Sequence, residues 1–208
     1  SRPISAQINL AALKHNLSIV RQYARQSRIM AVIKANAYGH GLIRIAKTLN
    51  EIDAFALLEL EAAIQLREVG IHQPILLLEG FFSKSDLISI DQYRLDTVIH
   101  HPEQIAMLAD HRMNKKINLF LKINTGMNRL GLTPKEGSKA IHTLRKLPHV
   151  GEITLMTHLA SADDPAAYHE VSTQLSIFSE ILNITRLPCS LANSAAIIQY
   201  PQTHQDWI

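Results

Sequence analysis

Between Ala31 and Gly41 the sequence reads AVIKANAYGHG, which places Lys34 at the end of an apolar run and follows it with small, turn-forming residues. A lysine at the end of a buried strand is partly desolvated; that disfavours the ammonium and frees a neutral amine to attack a carbonyl, making Lys34 a candidate Schiff-base former. The plainer alternative is a lysine that carries its charged head from the strand end into water. Ala35, Ala37, Gly39 and Gly41 leave room above such an amine, and the glycines let the backbone approach a ligand closely. Tyr38, four residues on, can offer a hydroxyl to an anion.

Other polar residues stand in the same kind of place. Glu79, His100, Asn124 with Thr125, His158, and Asn193 with Ser194 each follow a short apolar run, as Lys34 and Asn36 do. The runs are IMAVIK, AFALLE, PILLLEG, LDTVIH, INLFLKINT, EITLMTHLA and PCSLANS, and patterns of helical period separate them. Apolar, non-alternating strands alternating with helices predict parallel strands covered on their outer face. The stretch INLAALKHNLSIVRQYA predicts a leading helix, with Leu10, Leu13, Leu17 and Val20 at helical spacing and Asn9 as its N-cap.

Seven strands fit either an open doubly wound sheet or a (β/α)8 barrel. Chemistry at the carboxyl ends of nearly all of them favours a TIM-type barrel, here incomplete at about seven βα units, because a barrel gathers its strand ends around one mouth. An open sheet would concentrate such residues at one switch point. The sequence has no GxGxxG, GxxxxGK[ST] or GxSxG motif, so the usual nucleotide and hydrolase signatures are missing.

Composition narrows the partners. The chain has 208 residues, 47% of them hydrophobic and 19% charged, with a formal net charge of +3. That charge is spread along the chain and gives little support for nucleic acid or an anionic membrane, while a small anionic ligand is compatible. One cysteine excludes an internal disulfide framework and fits a reducing compartment. No apolar run approaches the roughly 18 residues of a membrane span, and SRPISAQINL lacks the apolar stretch of a signal peptide, so the expected location is the cytoplasm. His100 and His101 are adjacent and point apart on a strand, and no metal site is expected. Asp163 and Asp164 read as the acidic start of a helix at Pro165.

AVIKANAYGHG resembles the pyridoxal-phosphate motif of the alanine racemase family. LKINTGMNRLG (121–131), MTHLASAD (156–163) and LANSAAI (191–197) are similar to that family's later motifs, in the same order and at the ends of the expected strands. The resemblance implies a PLP-dependent racemase interconverting L- and D-alanine through a Schiff base on Lys34, and supplying D-alanine for peptidoglycan. Lys34 would serve as base on one face of the substrate Cα, and a tyrosine of the partner subunit's carboxyl-terminal domain would serve the other. The implied cofactor contacts are Tyr38 and Ser194 to the phosphate with Asn193 beside them, His158 packed near the pyridine ring, and Arg129 reaching the phenolic oxygen. Arg129 and His158 complete the implied catalytic set with Lys34. Lys122 corresponds to a lysine that many members carry as N-carboxylysine, whose negative charge would pair with Arg129; unmodified, the two cations repel. The family also implies a homodimer.

The sequence departs from the family after QDWI. Where Ile208 stands last, the family continues through an Arg-Pro-Gly segment, the eighth strand and a β-rich second domain; residues 1–208 are therefore expected to form a barrel domain lacking that strand, with the edges of strands one and seven unpaired. ISAQINL would pair with the second domain. The alternatives are a non-catalytic barrel resembling the pyridoxal-phosphate homeostasis proteins, which lack the NAYGHG continuation, a broad-specificity amino-acid racemase, and a decarboxylase of the same barrel superfamily.

Overall fold

The computed structural model describes residues 2–208. Residues 2–9 have no regular structure, so the expected pairing of ISAQINL has no counterpart among the described residues. Helix α1 (Leu10–Tyr23) begins where Asn9 takes the N–H of Ala12 on its side-chain oxygen at 3.0 Å, as its sequence position predicts.

Seven strands follow: β1 (Met30–Val32), β2 (Ala54–Leu57), β3 (Ile75–Leu77), β4 (Asp96–Ile99), β5 (Ile117–Lys122), β6 (Val150–Met156) and β7 (Cys189–Ser190). They pair in sequence order, every pair parallel. The covering helices are α3 (Leu42–Thr48), α4 (Leu60–Glu68), α5 (Lys84–Tyr93), α6 (Pro102–Ala109), α7 (Pro134–Leu144), α8 (Tyr168–Thr185) and α9 (Ser194–Gln199), while α2 (Lys34–Tyr38) is a single turn discussed below. This is an incomplete α/β barrel of TIM type.

The two faces of the sheet carry different cores, because successive side chains alternate across a strand. Phe55, Leu57, Ile75, Leu77, Ile99, Leu119, Leu121 and Leu155 point outward into the large core shared with the helices. Ala54, Ala56, Leu76, Val98 and Phe120 form a separate inner cluster with Trp207, joined by Met30, Leu78 and Met156. Two alanines on β2 make room for the phenyl and indole rings, so small and large side chains complement each other inside the ring.

Residues 206–208 run between β7 and β1. Trp207 bridges both Ser190 and Arg28 in parallel register; its N–H donates to Cys189 O at 3.1 Å, Ile208 N–H to Arg28 O at 2.9 Å, and Met30 N–H to Ile208 O at 2.8 Å. The expectation that β1 and β7 present unpaired edges is thereby corrected over this stretch. QDWI is too short a run to register as a strand in the sequence, yet its backbone has donors and acceptors on both sides and fills the seam.

Candidate active site

Residues two positions beyond the inner cluster form the mouth of the barrel. His100 follows Val98, Lys122 follows Phe120 and His158 follows Met156, while Lys34 stands two positions past Val32 and four past Met30, all in step with the inward side of their strands. Val32 is itself 41% exposed, so the mouth is open above it.

Lys34 enters the mouth through an unusual piece of backbone. Ala35, Asn36, Ala37 and Tyr38 all have φ between 52° and 55°, forming one left-handed turn closed by Ala37 N–H to Ile33 O and Gly39 N–H to Ala35 O, each 3.0 Å. The sequence predicted a turn here but not its hand. Left-handed winding costs roughly 1–2 kcal/mol per L-residue, so surrounding contacts must hold it. Ala37 is buried, and Asn36 spans the exit: its carbonyl accepts the N–H of Gly41 and its side-chain oxygen that of Leu42. Tyr38, on the same turn as Lys34, is 59% exposed.

Lys122 is only 8% exposed and has no hydrogen-bonded carboxylate among the described residues. Burial, then the charges of Arg129 and Lys34, hold its ammonium below the usual lysine range, and Glu79 opposes them. Arg129 lies exposed on the loop after β5. That loop is fixed by itself: Asn124 Oδ1 accepts the N–H groups of Gly126 and Asn128, both at 3.1 Å, and Leu132 returns to pair with Lys122 and Asn124. At Gly131, with φ +123°, a Cβ would lie 2.7 Å from the Asn124 nitrogen, so only glycine passes.

His158 is held neutral far into the acid range, its ring pushed down to about 4 by burial and by the neighbouring charges of Lys122, Arg129 and Lys34. Asn193 ties the end of β7 to the residue beside it, donating from Nδ2 to Leu159 O at 3.1 Å while its Oδ1 caps α9 through Ala196 N–H. Its carboxamide is therefore spent on structure, and Ser194 is left exposed at the start of a helix of six residues. With Asn193 occupied, the Ser194 hydroxyl is a side-chain donor offered there.

The mouth thus collects Lys34, Lys122 and Arg129 around a neutral histidine, with the Glu79 carboxylate acting against them on Lys122. His100 and Gln104 pin the Glu79 loop, donating from Nε2 to Glu79 O at 2.9 and 3.1 Å. His101 caps α6, taking the Glu103 N–H, and Asp164 caps the short 3-10 turn Pro165–Ala167. A cationic mouth holding a half-buried lysine suits an anionic aldehyde.

Sequence reasoning missed the braces of this site. Gln104 and Gln174 are buried polar residues, and Gln174 shares the core-facing side of α8 with Val171, Phe178 and Ile181. An uncharged polar side chain on an otherwise apolar stripe is the signal that could have found Gln174.

Residues 8–208 match the family model described as "Alanine racemase, N-terminal domain". Alanine racemases of Nitrosomonas eutropha and Nitrosomonas europaea are 54% and 55% identical over the whole of this chain, which spans 58% of their length. Among solved structures, the biosynthetic alanine racemase of Pseudomonas aeruginosa superposes with a TM-score of 0.88 at 37% identity over 96% of this chain and 56% of that one.

Proposed function

The chain belongs to the alanine racemase family, in the part described as the N-terminal domain, and on that premise we propose that residues 1–208 are the cofactor-binding barrel of a PLP-dependent enzyme interconverting L- and D-alanine. The observation that carries this reading is the convergence of Lys34, Lys122 and Arg129 on His158 at the carboxyl end of the strands.

The donor set fits pyridoxal 5'-phosphate. Bound there, the cofactor would withdraw electrons from the substrate Cα and make its proton removable. Lys34 would hold it and move that proton on one face. Tyr38 and Ser194 would donate hydroxyls to the phosphate, with Asn193 fixing the Ser194 turn by its cap. Arg129 would donate to the phenolic oxygen as a fixed cation. His158, neutral because it is buried among cations, would pack beside the ring without adding charge.

Lys122 is proposed as N-carboxylysine. Its lowered affinity for a proton leaves free amine to add to carbon dioxide, releasing one proton and creating a carboxylate that neutralises the repulsion from Arg129. The whole protein is proposed to work as a cytoplasmic homodimer, with the opposite-face proton donor in the partner subunit, making D-alanine for peptidoglycan.

The test is borohydride reduction of the full-length protein with pyridoxal phosphate, followed by peptide mass analysis and an assay of L-alanine conversion. The modification should map to Lys34, and Lys34→Ala should lose both label and turnover. Label on another lysine with turnover intact would overturn the assignment.

A further inference from the structure

We infer that Gln174 is a positioning residue of this site, its carboxamide locking the loop that carries His158 to the loop that carries Arg129; the inference rests on the function proposed above and assigns a further residue to it. Gln174 lies on α8, outside the mouth, and is 4% exposed. Its Nε2 donates to His158 O at 3.0 Å and to Thr125 Oγ1 at 3.1 Å, and its Oε1 accepts the N–H of Ala160 at 3.0 Å. One amide therefore grips the backbone on both sides of Leu159 and reaches across to the loop after β5.

The order of protons in this network is determined. Thr157 Oγ1 spends its single hydrogen on Ile123 O at 2.9 Å. In its 2.7 Å contact with Thr125, Thr125 must then be the donor, which leaves the Thr125 oxygen to accept from Gln174. Flipping the amide would set oxygen against the His158 carbonyl and nitrogen against the Ala160 N–H. Gln174, Thr125, Thr157 and Ile123 are buried, so an unmade bond among them is not replaced by water without cost. The chain Ile123–Thr157–Thr125–Gln174–His158 thus joins the ends of β5 and β6 through α8. Gly126 lies under the Gln174 side chain, where a Cβ would sit 3.5 Å from its Cγ.

Three variants test this in the full-length protein. Gln174→Met keeps the shape and removes every bond; Gln174→Glu keeps the acceptor for Ala160 but sets a carboxylate against the His158 carbonyl; Gln65→Met, on an exposed face of α4, controls for the substitution. In the cofactor-free protein, the ring titration of His158 followed by NMR should move in Gln174→Met from about 4 toward the ordinary 6.5, by about one pH unit or more, as the loop loosens and water enters. Pyridoxal phosphate should bind about tenfold more weakly, as the two loops lose their fixed separation. In Gln174→Glu the binding should recover as the pH falls and the acid takes a proton it can donate, a rescue Gln174→Met cannot show. If Gln174→Met fails to fold, Thr157→Val cuts the next link and should shift His158 in the same direction. An unchanged His158 titration and unchanged affinity in a folded Gln174→Met overturns the inference. If the parent protein takes up no cofactor, the proposed function falls while the His158 titration still decides the role of Gln174.

Discussion

The side-chain oxygen of Asn36 accepts the N–H of Leu42 at 2.8 Å, fastening the left-handed turn behind Lys34 to the first residue of α3. Asparagine tolerates this backbone better than alanine and also supplies the clamp. Asn36→Ala should destabilise the protein by about 1–3 kcal/mol, and Asn36→Gly, which relieves the strain but loses the clamp, by less. Urea unfolding of the two variants checks the order; a glycine variant weaker than the alanine variant would contradict the strain argument.

Lys122 offers a test by isotope. Protein equilibrated with carbon-13 bicarbonate should show one slowly exchanging carbamate resonance, absent from Lys122→Arg, because a guanidinium does not add carbon dioxide. The signal should fade on acidification as the amine is protonated. No resonance in a folded parent protein would mean that Lys122 is not carboxylated.

Acid stability should reflect two opposed groups. His158 stays neutral in the fold down to about 4 but is protonated near 6.5 when unfolded, so between those values the unfolded chain binds more protons and stability is lost as the pH falls. Asp96, at the start of β4, is pushed up to about 6 by burial, against the pull of Asn118 and Arg67 and helped by Glu152. Its fold binds the extra proton between about 6 and 3.8, so its contribution rises as pH falls. Asp96→Asn should therefore raise the melting temperature at neutral pH, by the equivalent of about 1–2 kcal/mol, with the advantage disappearing below the acid range of the native carboxyl. His158→Gln should lose less stability than the parent between 6.5 and 4. Melting curves of both variants across that window settle the signs.

Trp207 packs edge-on against Phe120 with ring centroids 6.1 Å apart, and the Arg28 guanidinium lies 4.1 Å from the indole centroid. Trp207→Ala should cost about 3–5 kcal/mol, since the alanines facing it on β2 cannot expand into the space. Denaturant unfolding with Trp207→Phe as the milder comparison measures this; a loss below about 1 kcal/mol would show that the inner cluster collapses freely.

Much of this was legible from residue order. Strands such as AFAL and INLFLK carry enough apolar character to be read directly, and their parity places Lys122 and His158 on the inward face once Phe120 and Met156 are inside. The hand of the turn at Ala35–Tyr38 was not legible, because alanine prefers the right-handed form and only tertiary contacts reverse it. Nor was the seam made by Asp206–Ile208, whose pairing depends on where β1 and β7 lie in space. Gln174 stood in view as a polar residue in an apolar stripe, but its partners come from two distant loops.

The indole of Trp207 also acts as a floor. Together with Leu76, Val98 and Phe120 it packs inside the ring, so among the described residues these side chains lie between Lys34 and the amino-terminal ends of the strands. Val32 on the other side is exposed, so the approach to Lys34 that displaces none of that packing runs past Val32.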